Sequence, residues 1–259
     1  MNSLADFIKF KLLQLPVLAS EHGRDVDDLI VYVHWLMAVL FVGWMAYFLY
    51  AIFRFRKTRN PKADYAGVTS HASSYIEVAV AVVEAVLLVS AVAFWSKAVD
   101  KFPPEKDSTV IRVTAEQFTW NSRYPGPDGV FGKQDVKFVN ATNAFGIDYT
   151  DPHAKDDVVP PLKEIHVPVN KPVIFHLTSK DVIHCFKVIP LRVTQDVIPG
   201  MSLPVHFIPT KEGQYQITCA QLCGNGHSTM NGYFTVDSQE NFNKWLAAKS
   251  KSVGAASFE

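Results

Sequence analysis

Two stretches near the start of this 259-residue chain carry almost no polar positions. The first, "IVYVHWLMAVLFVGWMAYFLYAIF", covers residues 30–53, and the second, "YIEVAVAVVEAVLLVSAVAFW", covers residues 75–95. A bilayer core needs about 20 apolar residues in a helix, and both stretches reach that length. Helices so uniformly apolar are rare in soluble proteins, where one face meets water. The pattern predicts a transmembrane hairpin over 30–96, with its connecting loop at 54–74. Beyond Trp95 the segment "SKAVDKFPPEKD" is polar, carries two prolines and reads as a linker. From Thr109 onward apolar and polar positions alternate, as in "VIRVTAEQFTW", "PVIFHLT", "VIHCFKV", "GQYQITCA" and "GYFTVD". That period of two is the signature of strands, and "NKP", "PTKEG" and "MNG" supply turns between them. Six or more short strands without an internal repeat predict a Greek-key sandwich or small barrel over residues 105–238. The final stretch, 239–259, reads as a helix and tail, with Ser238 as N-cap and Phe242, Trp245 and Leu246 as its apolar stripe. The fold class is therefore an α+β membrane protein: a two-helix hairpin followed by an all-β domain.

Charge adds orientation. The sum is zero, with 25 basic and 25 acidic residues, and no basic block marks a nucleic-acid partner. The placement is uneven. The loop after the first apolar run carries Arg54, Arg56, Lys57, Arg59 and Lys62 before its first acid, Asp64. That bias puts the loop on the cytoplasmic side and both chain ends outside. Residues 1–29 form an external or interfacial segment whose "LLQLPVLAS" weakly resembles a signal peptide; it is expected to be retained and to lie along the membrane surface. Within the β domain, residues 124–161 break the strand rhythm and are rich in Gly, Pro, Asn and Asp. Asp128 to Asp157 holds six acids and three lysines. This insertion reads as a solvated excursion or, more sharply, as a contact surface for a partner.

The chemistry concentrates in "CAQLCGNGHSTM", residues 219–230. Cys219, Cys223, His227 and Met230 are soft or borderline ligands on one turn between two strands, and His184 in "DVIHCF" supplies a second imidazole. Thiolate, imidazole and thioether select copper or, less well, zinc. One copper would leave a surplus thiolate. Two coppers bridged by both sulfurs would use every donor, with Met230 on one ion and the Gln221 carbonyl on the other. A Cys2His2 zinc site has the right count but leaves Met230 unused. A Cys219–Cys223 disulfide leaves both histidines idle. The remaining cysteine, Cys185, points to the opposite strand face from His184 and reads as a small buried residue.

"DVIHCFKVIPLRVTQDVIPG" together with "CAQLCGNGHSTM" resembles subunit II of haem-copper cytochrome c oxidases, and the resemblance covers nearly the whole chain. It implies a cupredoxin-like Greek-key barrel carrying a dinuclear copper (CuA) centre. Cys219 and Cys223 would bridge the ions, His184 and His227 would complete them, and Met230 and the Gln221 carbonyl would be weak ligands. It also implies partnership with oxidase subunits I and III in a bacterial cytoplasmic membrane, with the copper domain periplasmic. Single electrons would arrive from a cytochrome c and pass to haem in subunit I, where oxygen reduction and proton pumping occur.

Three features depart from the family or extend it. Gln221 stands where the family carries Glu, whose side chain reaches a magnesium ion at the subunit I interface; a neutral amide is a poor ligand for a hard cation, which counts against that site. The aromatic run where electrons enter reads Gln117, Phe118, Thr119, Trp120, with Phe118 at the expected tryptophan. That change and the insertion resemble oxidases that associate with alternative complex III, a quinol-oxidising complex with its own haem c subunits; a soluble cytochrome c is the competing donor. In the second apolar run, Glu77 and Glu84 lie on one helix face. A mid-membrane carboxylate is costly, so both are expected to face subunit I, and Glu77 matches the family's glutamate at the mouth of the K proton channel. A membrane-anchored copper-binding or chaperone protein without an oxidase role is the competing class. Metal stoichiometry separates the two.

Overall fold

The computed structural model describes residues 4–62, 65–67 and 70–255. Parts of the 54–74 loop and the tail beyond 255 lie outside them. The chain divides into two units: the long helices, and the strands together with residues 14–26.

The helical unit begins with a short helix, α1 (Leu4–Phe7), continued by a π-helical turn, Ile8–Leu12. Two long helices follow, α2 (Gly23–Arg54) and α3 (Ala72–Asp100). Each extends past the apolar run that announced it and takes in polar residues at its ends. Large apolar side chains along both helices stay exposed, among them Trp44, Phe48, Val83 and Leu88. Surfaces of that kind belong in lipid or against other membrane helices. Both helices are long and apolar enough to cross a membrane.

The expected interfacial segment 1–29 is not one element. Residues 14–26 join the strand unit: Ala19 is fully buried in its core, and Ser20 pairs with Pro209. The Ala19 N–H donates to Pro190 O at 2.8 Å, and its carbonyl accepts from the Thr210 N–H at 2.8 Å. Small side chains at 19 and 20 let this strap lie flat on the domain, a contact that no local pattern announces.

Nine strands build the second unit: β1 (Thr109–Glu116), β2 (Thr119–Arg123), β3 (Glu164–Pro168), β4 (Val173–Ser179), β5 (His184–Val188), β6 (Val193–Val197), β7 (Leu203–Phe207), β8 (Gly213–Cys219) and β9 (Asn231–Asp237). They form a four-stranded sheet, β2-β1-β4-β7, and a five-stranded sheet, β3-β9-β8-β5-β6. The β1–β4 and β3–β9 pairs are parallel, so the connections cross between sheets in Greek-key fashion. Inward positions interdigitate between the sheets. Phe175 from one sheet meets Phe186 at 5.5 Å and Phe234 at 6.1 Å from the other. This is a cupredoxin-like β domain that follows two long apolar helices in the chain.

The insertion between β2 and β3 is more than a solvated excursion. It has its own small core of Phe145, Ile147 and Ala154. The buried Arg123 guanidinium pairs with the equally buried Asp157 at its base. Its remaining acids are engaged internally. Asp128 pairs with His153, Asp135 with Lys137, Asp148 accepts from Thr150, and Asp151 accepts from the Lys133 N–H. Short polar side chains that bind nearby backbone in this way favour turns.

The C-terminal helix α4 (Gln239–Ala255) docks through its predicted stripe. Phe242 is buried, and Trp245 stacks on His166 with ring centroids 4.1 Å apart.

Candidate metal centre

The centre is assembled from one strand end and one loop. His184 opens β5 and Cys219 closes the adjacent β8, where Phe186 and Cys219 are in register. The loop from 220 to 230 then returns to β9. Its base is pinched by the Cys219 N–H donating to Met230 O at 3.2 Å, and its tip by the His227 N–H donating to Gly224 O at 3.1 Å. Strand pairing on one side and loop hydrogen bonds on the other thus bring distant residues together.

All six donors expected from the sequence converge. The sulfurs of Cys219 and Cys223 are 3.8 Å apart. His184 Nδ1 lies 4.0 Å from Cys219 Sγ, and His227 Nδ1 lies 3.6 Å from Cys223 Sγ. Met230 Sδ is 3.7 Å from Cys223 Sγ, and the Gln221 carbonyl oxygen is 3.1 Å from Cys219 Sγ. Among the described residues, His184, Cys219 and Cys223 form a group whose ligand atoms all lie within 4.8 Å of one another. His184, Cys219, Cys223 and Met230 are buried, while His227 is half-buried and the Gln221 side chain is exposed. Burial and the neighbouring Cys219 sulfur push the Cys223 thiol up to about 11. Two thiols among imidazoles and a thioether make a donor set that suits a soft or borderline cation.

A supporting layer was not read from the sequence. The Asp181 carboxylate lies 2.8 Å from His184 Nε2. An ionised carboxylate only accepts, so the imidazole donates from Nε2 and turns its Nδ1 lone pair toward Cys219, an orientation typical of metal-ligating histidines. Burial alone would raise Asp181, but hydrogen bonds from His184 and from the Gln117 and Val182 N–H groups outweigh it and hold the carboxyl below its usual range. The Gln117 side chain donates to Cys223 O at 2.5 Å. An acid three positions before the ligand histidine was the available signal.

The other singled-out residues are placed differently. Phe118 is half-buried and packs on the ligand loop. Trp120 is fully buried beneath it, edge-on to His184 at 6.2 Å and to Phe186 at 5.4 Å, with its indole N–H unpartnered among the described residues. Cys185 is buried on the far strand face, where burial and Asp196 push its thiol up to about 12. Glu77 and Glu84 belong to the helical unit and are exposed along α3.

A membrane-anchored cupredoxin-like domain with two cysteines on a histidine- and methionine-bearing loop defines a class of redox-metal subunits. Residues 109–236 match the family model for the cytochrome c oxidase subunit II periplasmic domain. The chain is 30% identical over 229 residues to the alternative cytochrome c oxidase subunit 2 of Bradyrhizobium diazoefficiens, covering 88% of this chain and 82% of that one. It is 29% identical over 244 residues to cytochrome c oxidase subunit 2 of Cereibacter sphaeroides, covering 89% and 76%. Among solved structures, the periplasmic domain of subunit II of cytochrome oxidase from Bradyrhizobium japonicum aligns with a TM-score of 0.43 and 26% identity, over 59% of this chain and 99% of that one. The chain belongs to the cytochrome c oxidase subunit II family. It is a subunit of an oxidase complex, a partner of the haem-copper subunit I, and membrane-anchored with a periplasmic domain.

Proposed function

We propose that this chain receives single electrons from a cytochrome c and delivers them to haem in subunit I, for reduction of oxygen to water coupled to proton pumping. Cys219, Cys223, His184, His227, Met230 and the Gln221 carbonyl would hold a pair of copper ions. The observation that carries this reading is the convergence of all six donors around one pair of sulfurs. When bound, the copper pair supplies one-electron redox chemistry. The protein's own part is positional. Asp181 orients His184, the loop hydrogen bonds fix the spacing of Cys219 and Met230, and buried aromatic side chains keep water out. A site already fixed before electron arrival reorganises little, and preorganisation of that kind favours fast transfer.

Phe118 at the loop surface and Trp120 behind His184 are the aromatic side chains across which electrons enter. Glu77, the sixth residue of α3, is the proton-uptake group at the cytoplasmic end. The donor is a haem c subunit held in a supercomplex with alternative complex III, with subunit III completing the oxidase core. The insertion has its own small core and a buried Arg123–Asp157 pair at its base, and an ordered surface of that kind suits a fixed partner. The Gln221 side chain is a neutral amide, a poor ligand for a hard cation such as magnesium.

The test is metal content and spectrum of the full chain in detergent. Two tightly held coppers per chain, lost on Cys219→Ser or Cys223→Ser, are expected. A single copper with an ordinary blue-copper spectrum, or one exchangeable zinc, overturns the reading.

A further inference from the structure

Between β1 and β2 the chain turns at Gln117 and Phe118, and this turn closes on the ligand loop from outside. The Gln117 amide donates to Cys223 O, and its backbone N–H donates to Asp181 Oδ2 at 2.7 Å. The Phe118 ring covers the two glycines between Cys223 and His227. A Cβ at Gly226 would stand 2.4 Å from Phe118 Cδ2 and 2.6 Å from Cε2. At Gly224 it would stand 3.2 Å from Phe118 Cζ and 2.7 Å from Gln117 Nε2.

The two glycines have different reasons. Gly224 has a φ of +132°, which favours glycine whatever surrounds it. Gly226 has φ −92° and ψ 11°, a conformation open to other residues. The missing side chain at 226 is therefore explained by the ring alone. Gly226 immediately precedes His227, and its carbonyl accepts from the Thr229 N–H at 2.9 Å and the Thr229 hydroxyl at 2.8 Å. Displacing Gly226 moves the histidine with it.

We propose that the Gln117–Phe118 turn clamps the Cys223–His227 half of the loop, and that Phe118 is a positioning residue acting through the volume of its side chain rather than its aromaticity. This role rests on the copper reading only for what the loop holds, and it is separate from any part the ring plays in electron entry. Groups that orient metal ligands commonly contribute about 10- to 100-fold to metal affinity. The clamp belongs in that range, because without the ring the Gly224–Gly226 stretch loses its outer wall.

The test uses the full chain in detergent as wild type, Phe118→Leu, Phe118→Ala, Gly226→Ala and the double variant Phe118→Ala/Gly226→Ala. Two readouts are taken: alkylation of Cys223 in the metal-free protein, with Cys185 as internal control, and copper loss to a chelator from the loaded protein. Phe118→Ala is expected to raise both rates by about tenfold or more. Phe118→Leu, which keeps most of the apolar volume, should stay within a few-fold of wild type. Gly226→Ala should resemble Phe118→Ala, because its methyl evicts the ring, and the double variant should be no worse than either single one. The clamp is overturned if Phe118→Ala matches wild type, if Phe118→Leu is as damaging as Phe118→Ala, if Gly226→Ala is silent, or if Cys185 accelerates in step with Cys223. If the wild type does not hold two coppers, the metal assignment fails while the alkylation arm still decides the clamp.

Discussion

Replacing Asp157 by alanine should destabilise the β domain far more than a typical surface change. Arg123 and Asp157 are both buried, with side chains 0% and 1% exposed. Asp157 Oδ2 accepts from Arg123 Nε at 3.1 Å, from Arg123 Nη2, and from the Gly132 N–H at 3.0 Å. The guanidinium also reaches Gly132 O and Gln134 Oε1, and Phe131 lies 5.5 Å beneath it. Its cross-strand neighbour is Arg112. Burial and the charge of Arg123 already hold Arg112 below the usual arginine range. Removing the carboxylate therefore leaves a buried cation beside a second one. Breaking one side of a buried pair costs about 3–5 kcal/mol. For a domain of this size, 1 kcal/mol shifts the melting temperature by about 2–4 °C, which predicts a loss of roughly 6–20 °C. Asp157→Asn keeps an acceptor and should lose less. Arg123→Met with Asp157→Leu removes both charges and should recover much of the stability. The assay is thermal unfolding of the full chain in detergent, with limited proteolysis of the insertion alongside. If Asp157→Ala melts within about 2 °C of wild type, a shift worth at most 1 kcal/mol, the insertion is not part of the cooperative unit and the reasoning fails.

Three further outcomes are expected. Glu77→Gln in the assembled oxidase should slow turnover while leaving reduction of the copper centre intact; unchanged turnover would reduce Glu77 to a structural contact. Quinol-to-oxygen flux through the intact membrane complex should change little from low to moderate salt and should not need added soluble cytochrome c. A requirement for the soluble protein, with activity collapsing as salt rises, would restore a charge-steered shuttle. Gly132→Ala should open the insertion to protease, because its Cβ would meet the backbone of Ala154 at 2.4 Å; an unchanged cleavage rate would show that the contact yields cheaply.

The sequence made some of this legible and hid the rest for identifiable reasons. The long helices announce themselves because lipid exposure demands apolar side chains all round, which leaves a run and not a period. Their ends extend past the apolar stretches, since Asp25 in the first turn of α2, with Asp27 and Asp28 just after it, looks like loop to a hydrophobicity pattern. The gathering of Cys219, Cys223, His227 and Met230 was readable because such side chains are chemically distinctive and closely spaced. His184 was readable only through its motif, since strand pairing supplies the proximity. Asp181 and Gln117 were missed because their roles are hydrogen bonds set by tertiary contact. The insertion's acids suggested an exposed charged surface: Asp128 and Asp135 are exposed, while Asp157 is buried against Arg123 and others accept local hydrogen bonds. Composition counts charges but cannot say which are already engaged. Residues 14–26 were misplaced for the same reason: a strap that adds no sheet ladder has no period to detect.

Tyr124 and Val158 exchange two backbone hydrogen bonds, 2.9 and 3.0 Å long, where the insertion leaves and rejoins the domain. Its two ends are thus held side by side whatever lies between them. Closing a longer loop across a fixed gap adds only about 0.6 kcal/mol for each doubling of its length. The outer part of the insertion, away from Arg123 and its partners Gly132, Gln134 and Asp157, can therefore lengthen or shorten by descent, gaining or shedding a foothold for a neighbour. The strands that carry His184 and Cys219 need not change register as it does so.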